Sequence, residues 1–171
     1  SLEFVRRHAN SDQPFCLYVS HEAIHNPVQV PGDEPRRTTE KWDRWKWRDV
    51  SPEERIAKYR GMTLPIDEGM GQLRRTLVEL GIEKDTIVLW FSDNGPSGDF
   101  PSGSPKFRGG KGQVYEGGHK VPAIVWWPGK VRAGSESSET LISIDVMPTL
   151  LSLAGIETFG KASSVPDFLE E

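Results

Sequence analysis

The run at residues 86–91 constrains the fold of this chain more than any other feature. It reads Thr-Ile-Val-Leu-Trp-Phe, carries no charge and is rich in β-branched side chains. A strand that is apolar at consecutive positions needs cover on both of its faces, as a strand inside a parallel sheet has. We therefore predict a buried parallel strand at residues 86–91.

Two further apolar runs predict additional strands. Residues 15–19 and residues 121–127 are short, rich in strand-forming side chains and bounded by polar, glycine or proline residues. With helices between them, the order of elements indicates an α/β domain with a mostly parallel sheet flanked by helices.

The helix signals are clear at both ends of the longest segment. Ser51, followed by Pro52 and two glutamates, is a typical helix start. Pro65 is expected to kink or restart the helix, and Gly81 fits its C-terminal cap. Apolar residues recur at helical spacing along one face, namely Ile66, Met70, Leu73, Leu77 and Leu80. A last helix is predicted to start at Ser143 or Asp145 and to end before Gly155.

Composition narrows the possible partners. The chain has 171 residues and a net charge of -4, which argues against a nucleic-acid partner because phosphate binding usually brings a basic excess. No apolar run approaches the roughly 20 residues that span a bilayer. The single cysteine, Cys16, cannot form an internal disulfide, and its apolar neighbours predict a buried core thiol. Nothing in the sequence indicates the oligomeric state.

The tetrapeptide Ser92-Asp93-Asn94-Gly95 directly follows the predicted strand at 86–91. Ligands of open α/β sheets bind beyond the carboxyl ends of strands. The carboxylate of Asp93 and the amide oxygen of Asn94 are hard oxygen donors that suit Ca²⁺ or Mg²⁺. The alternative is a tight turn, for which Asp-Asn-Gly is equally good chemistry.

A glycine-rich stretch follows, with eight glycines and three prolines between residues 95 and 118. Long loops of this kind in compact domains are usually functional. Its segment Arg108-Gly109-Gly110-Lys111-Gly112 is similar to an anion-binding loop, in which backbone N–H groups and the Lys111 ammonium face an oxyanion. The alternative is a flexible basic loop.

The third candidate is His25, in the loop after the predicted strand at 15–19. A histidine there could act as a general acid or bind an anion. The alternative is a solvent-facing loop side chain. His21 and His25 would form a zinc-binding pair only on a helix, and the strand before them and Pro27 after them argue against one.

Taken in order, these motifs resemble the sulfatase family. The resemblance covers roughly residues 14–156, and it includes the arylsulfatase and N-acetylgalactosamine-6-sulfatase branches. The matching motifs are His25-Asn26-Pro27, Ser92-Asp93-Asn94-Gly95, Arg108 to Gly112, Tyr115-Glu116-Gly117-Gly118, Trp127-Pro128-Gly129 and Ile144 to Leu151.

The resemblance implies a role for four residues and an alkaline-phosphatase-like fold. Asp93 and Asn94 look like two ligands of a divalent cation, usually calcium, with magnesium possible. Lys111 looks like a catalytic and substrate-binding residue that contacts a sulfate oxygen, and His25 like one that contacts the sulfate or the leaving oxygen. The implied activity is hydrolysis of a sulfate ester, by a protein exported to periplasm, lysosome or extracellular space.

The resemblance also implies parts that these 171 residues do not contain. The family nucleophile is a formylglycine made within a Cys/Ser-x-Pro-x-Arg motif, which is absent here, and Cys16 is followed by Leu17-Tyr18-Val19. The early aspartates of the metal site are absent too. We interpret residues 1–171 as an incomplete sulfatase catalytic domain whose N-terminal part carries the nucleophile, and we expect these residues alone to be inactive.

The substrate is expected to be a sulfated small molecule or carbohydrate. Trp42, Trp45 and Trp47 could stack on sugar rings or cover a neighbouring surface. Two rival functions remain open: a phosphatase or phosphodiesterase of the same superfamily, and a non-catalytic carbohydrate-binding relative.

Overall fold

The computed structural model describes residues 1–25, 28–34, 51–97 and 106–156. The chain divides into two compact units. The first consists of Ser1–Ile82 and Asn94–Val121, and the second of Glu83–Asp93 and Pro122–Glu171. The predicted site residues Asn94, Lys111 and His25 therefore belong to the first unit, and Asp93 to the second.

The described residues of the first unit form three α-helices: α1 at Leu2–His8, α2 at Pro52–Glu79 and α3 at Glu116–His119. Helix α2 begins as the sequence predicts, because the Ser51 hydroxyl accepts a hydrogen bond from Glu54 N at 3.2 Å. Its end is also as predicted. Gly81 adopts φ +70°, and Ile82 N donates to Leu77 O at 3.1 Å in a Schellman arrangement.

Of the kink or restart expected at Pro65, the restart is wrong, because α2 is one helix of 28 residues that contains Pro65. A proline inside a helix removes one hydrogen bond and costs about 3 kcal/mol. Packing on both sides of Pro65 offsets that cost: Met62 is 3% exposed before it, and Leu77 is 1% exposed after it.

The predicted apolar face of α2 is confirmed. Leu77 is fully buried and the other four members of the face are half-buried, whereas Leu64 and Val78, which lie off the face, are 59% and 54% exposed. Helix α1 packs against α2, and its Val5 is 1% exposed. The Arg6 guanidinium donates to the hydroxyl of buried Thr76 at 3.5 Å.

A second contact on α2 holds the segment at residues 28–34. Buried Val28 packs with Met62 of the helix, and Gly61 lets Val30 approach closely, because a Cβ there would lie 3.3 Å from Val30 Cβ. The Lys58 ammonium donates to both Asp33 carboxylate oxygens at 2.8 and 2.7 Å. Both partners are about one-fifth exposed, 19% and 23%, so this ion pair is stronger than one at the surface.

The second unit contains strands β1 at Val88–Phe91 and β2 at Ala123–Trp126, and helix α4 at Val146–Leu153. The strands pair antiparallel, with Val88 opposite Trp126 and Phe91 opposite Ala123. The predicted strands at 86–91 and 121–127 are thus present in shortened form, but β1 is not buried as predicted, since its first three residues are half-buried and Phe91 is 41% exposed. The described strands do not, however, confirm a mostly parallel sheet.

Two sequence predictions at residues 15–19 are wrong. This segment has no regular secondary structure, Tyr18 is 84% exposed, and Cys16 is exposed rather than buried. A strand needs a neighbouring strand for its backbone groups, and the strands of the described ranges pair only with each other.

Helix α4 begins and ends where the sequence predicts. The Asp145 carboxylate accepts from Ile142 N at 2.8 Å just before the helix. Gly155 follows it at φ +71°, with Ile156 N donating to Leu151 O at 2.9 Å. Among the helices at described residues, none has the length and apolar character that a membrane crossing requires.

Leu77→Ala should lower the free energy of unfolding by about 2–5 kcal/mol, because it opens a cavity where α2 is fully buried. Val78→Ala, one residue along the same helix, should change it by no more than about 0.5 kcal/mol. Urea unfolding of both variants followed by circular dichroism measures the difference. Equal losses would contradict the assigned buried face.

Candidate functional site

Lys111 lies at the tip of a tight turn in the first unit. Gln113 N donates to Gly110 O at 3.0 Å, which closes a four-residue β-turn. Gly112 adopts φ +81°, and no non-glycine residue at described positions has a positive φ. That combination is a type II turn with Lys111 at its second position and a glycine at its third, where the left-handed conformation is required.

Two backbone hydrogen bonds fasten this turn to the segment that follows Asn94. Lys111 N donates to Pro96 O at 2.8 Å, and Gly95 N donates to Gly118 O at 2.9 Å. Gly95 and Pro96, the two residues after Asn94, therefore each make one hydrogen bond to the glycine-rich loop. Within the first unit the structure therefore places the lysine loop against the two residues that follow Asn94, whereas the roles of Asn94 and Lys111 stay predictions.

Glycine is needed where these backbones meet. A Cβ on Gly95 would lie 2.8 Å from the carbonyl carbon of Gly117, and one on Gly118 would lie 2.7 Å from Gly110 O. One on Gly117 would lie 2.7 Å from Arg108 O. Real Cβ atoms do not approach backbone this closely, so only glycine allows the loop to pack on itself and on Gly95.

The loop is also closed at its base by side chains. The Arg108 guanidinium stacks over the Tyr115 ring, 3.8 Å from its centroid, and Gly117 N donates to Arg108 O at 2.8 Å. Sequence reasoning assigned neither residue a role. The only sequence signal for this contact was the seven-residue separation of an arginine and an aromatic residue around a glycine-rich turn.

Asp93 and Asn94 follow β1 directly, as predicted from the sequence. Asp93 is exposed and Asn94 is half-buried. The Asn94 side-chain amide donates from Nδ2 to Gly95 O at 2.9 Å, which directs its Oδ1 atom away from that carbonyl. Within the described ranges no three His, Cys, Asp or Glu residues cluster to hold a metal ion.

His25 is held by a different element from Lys111. It is exposed and lies in a turn in which His25 N donates to Glu22 O at 2.8 Å. Ile24 and Val28, on either side, pack on the Met62 region of α2. Because this segment is a turn, His21 and His25 do not form the helical zinc pair. Asn26 and Pro27 of the predicted motif lie outside the described residues.

Comparisons with known proteins agree on one family. The family model described as Sulfatase matches residues 1–156. The chain is 33% identical to N-acetylgalactosamine-6-sulfatase of Rattus norvegicus, over 92% of its own length and 28% of that protein. It is 32% identical to steryl-sulfatase of the same organism, over 91% of this chain and 25% of that protein.

Solved structures also match. The crystal structure of PsFucS1 sulfatase from Pseudoalteromonas sp. matches with a TM-score of 0.66 and 27% identity, over 91% of this chain and 28% of that one. The crystal structure of Ps i-CgsB in complex with k-i-k-neocarrahexaose matches with a TM-score of 0.76 and 28% identity, over 92% of this chain and 33% of that one. The chain spans about 28% of the length of the N-acetylgalactosamine-6-sulfatase of Rattus norvegicus.

Gly118→Ala should disrupt the lysine loop, because its Cβ would overlap backbone that cannot move aside. We expect a loss of about 1–3 kcal/mol of stability and faster amide exchange over residues 108–118, measured by hydrogen–deuterium exchange. Gly69→Ala is the matched control. A Cβ at Gly69 meets nothing within 4 Å, so this helix substitution should stabilise by about 0.5–1 kcal/mol. Slow exchange retained in Gly118→Ala would contradict the packing argument.

Proposed function

The chain belongs to the sulfatase family, and we propose that the protein containing it hydrolyses a sulfate ester. The observation that carries this proposal is the attachment of the Lys111 turn to the segment after Asn94, through Lys111 N to Pro96 O and Gly95 N to Gly118 O. A lysine whose backbone is held by hydrogen bonds, and whose ammonium is exposed, suits the binding of a sulfate group.

Lys111 is proposed to bind a sulfate oxygen. Its ammonium is a compact charge with three hydrogen-bond donors, it is exposed, and its backbone is pinned at Pro96. Cleavage of the S–O bond moves negative charge onto the leaving oxygen and the sulfuryl oxygens. A positive charge already in place at those atoms stabilises the transition state without reorganising.

His25 is proposed to contact the sulfate or the leaving oxygen. In its protonated form the imidazole can donate a proton to the oxygen that leaves as the S–O bond breaks. The packing of Ile24 and Val28 around Met62 of α2 supports this role, because it restrains the turn that carries the histidine.

Asp93 and Asn94 are proposed to hold a divalent cation, with calcium preferred and magnesium possible. Their donor chemistry fits, since both offer oxygen, and the Nδ2 bond to Gly95 O fixes the Asn94 amide. Calcium takes six to eight oxygen ligands, so further ligands must come from other residues. When bound, the cation polarises a sulfuryl oxygen, and the family formylglycine supplies the nucleophile.

The domain and substrate proposals follow from the same family resemblance. We propose that residues 1–171 are an incomplete part of an alkaline-phosphatase-like sulfatase domain, whose sheet is mostly parallel when complete. The proposed substrate is a sulfated carbohydrate or an aryl sulfate. Trp42, Trp45 and Trp47, which could stack on a sugar, lie outside the described residues. Export of the protein stays a prediction.

The two rival functions are less well supported. The model that matches residues 1–156 is Sulfatase, which favours sulfate over phosphate esters. A binding-only relative would have no need of a fixed lysine beside potential metal ligands. Assays against matched sulfate and phosphate esters separate all three possibilities.

Lys111→Met in the complete polypeptide should lower kcat/KM for 4-nitrophenyl sulfate by about 100-fold or more, because a charge-stabilising donor is lost. Lys130→Met, an exposed lysine of the second unit, is the control and should leave turnover unchanged. Steady-state kinetics with 4-nitrophenyl sulfate and 4-nitrophenyl phosphate provide the measurement. Faster turnover of the phosphate ester, or full activity in Lys111→Met, would sink the proposal.

Calcium should raise the midpoint of thermal unfolding of the chelator-treated polypeptide, because the ion binds the folded state. Loss of a residue that only contacts a metal ligand lowers metal affinity by about 10-fold to 100-fold. Loss of a direct ligand should cost at least as much, so Asp93→Ala should need at least that much more calcium for the same rise in the unfolding midpoint. Asp85→Ala, exposed in a 3₁₀ turn, is the control. An identical calcium response in Asp93→Ala and the unmodified protein would remove Asp93 from the site.

A further inference from the structure

Gln113 makes two hydrogen bonds to Gly110, one through its backbone and one through its side chain. Its backbone N donates to Gly110 O at 3.0 Å, and its side-chain Oε1 accepts from Gly110 N at 3.1 Å. The first bond defines the turn. The second comes from the side chain alone, and it satisfies a backbone donor on the residue directly before Lys111.

The Arg108–Tyr115 pair closes the same loop one step further out. A Cβ placed on Gly109 would lie 2.9 Å from Gln113 Oε1 and 2.9 Å from Tyr115 Cβ. Both side chains thus close over Gly109, while the Arg108 guanidinium covers the face of the Tyr115 ring at 3.8 Å. An exposed cation–π contact of this kind is modest in energy, but it joins the two ends of the loop.

The turn needs such supports because of its composition. Lys111 stands between Gly110 and Gly112, and glycine has the greatest backbone freedom to lose on ordering. The Lys111 side chain is exposed. It has four rotatable bonds, so its ammonium can occupy many positions. Its ammonium can therefore be placed reproducibly only if the backbone at residues 110–112 is fixed.

We propose that Gln113, assisted by the Arg108–Tyr115 pair, is a positioning residue for Lys111. Its side chain holds the Gly110–Gln113 turn closed, so that the lysine ammonium meets the sulfuryl group in one arrangement. The proposal rests on the proposed sulfatase function. It adds a residue that touches neither substrate nor metal and acts through the backbone of the lysine turn.

The test uses Gln113→Met in the complete polypeptide, since methionine keeps the length and removes the acceptor. Amide exchange over residues 108–115 should accelerate by about 5-fold, as expected for loss of one hydrogen bond. With 4-nitrophenyl sulfate, kcat/KM should fall by about 10-fold to 100-fold, because small displacements of a catalytic group are costly. Both kcat and the affinity for inorganic sulfate, measured by calorimetry, should decrease.

Three further variants separate positioning from general destabilisation. Gln72→Met, exposed on α2, should leave both exchange and kinetics unchanged. Gln113→Glu keeps an acceptor oxygen and should restore slow exchange at residues 108–115. Tyr115→Leu should accelerate that exchange, whereas Tyr115→Phe, which keeps the aromatic face, should not.

Two results would overturn the proposal. Unchanged exchange in Gln113→Met would mean that the side chain does not hold the turn, and faster exchange with unchanged kinetics would mean that the turn does not position Lys111. Absence of sulfate-ester turnover in the unmodified polypeptide would overturn the proposed function itself. This failure differs from the first two results, because Gln113→Met would still show faster amide exchange over residues 108–115.

Discussion

The candidate site depends on backbone packing that only glycine permits. Gly95, Gly117 and Gly118 lie so close to neighbouring main chain that any Cβ would overlap carbonyl groups. This close approach allows Gly95 N to reach Gly118 O and Lys111 N to reach Pro96 O. Without it these two hydrogen bonds, which hold the lysine turn to the segment after Asn94, could not form.

A second support, independent of the glycines, comes from helix α2. Its N-terminal half carries Lys58, which holds Asp33 through an ion pair, and Met62, which holds Val28 through apolar contact. The turn with His25 directly precedes that segment. The first unit thus supports its proposed site residues in two ways: the lysine loop by backbone hydrogen bonds, and the histidine turn by side-chain packing on a long helix.

Local sequence signals predicted well wherever a few adjacent residues decide the outcome. The Ser51 cap, the Gly81 and Gly155 terminations and the buried face around Leu77 all appear in the structure as expected. Predictions that needed a distant partner did less well. Residues 15–19 are apolar enough for a strand, yet they form none, because a strand needs a neighbouring strand to pair with its backbone groups. Cys16, in the same segment, is exposed. Pro65 does not break α2, since burial on both sides outweighs its local cost.

The sequence by itself determined which chemical groups are present and in what order: an imidazole at His25, a carboxylate at Asp93, an amide at Asn94 and an ammonium at Lys111. Side-chain identity and helix caps are encoded within a few residues, so they can be read directly. The tertiary structure decided how the glycine-rich loop folds back on Gly95, that Gln113 and the Arg108–Tyr115 pair brace the Lys111 turn, and that β1 and β2 pair antiparallel. The approach to Gly95 and the strand pairing join residues far apart in the chain. The contacts of Gln113 with Gly110 and of Arg108 with Tyr115 join residues only three and seven apart, but they form only when the loop has folded back on itself.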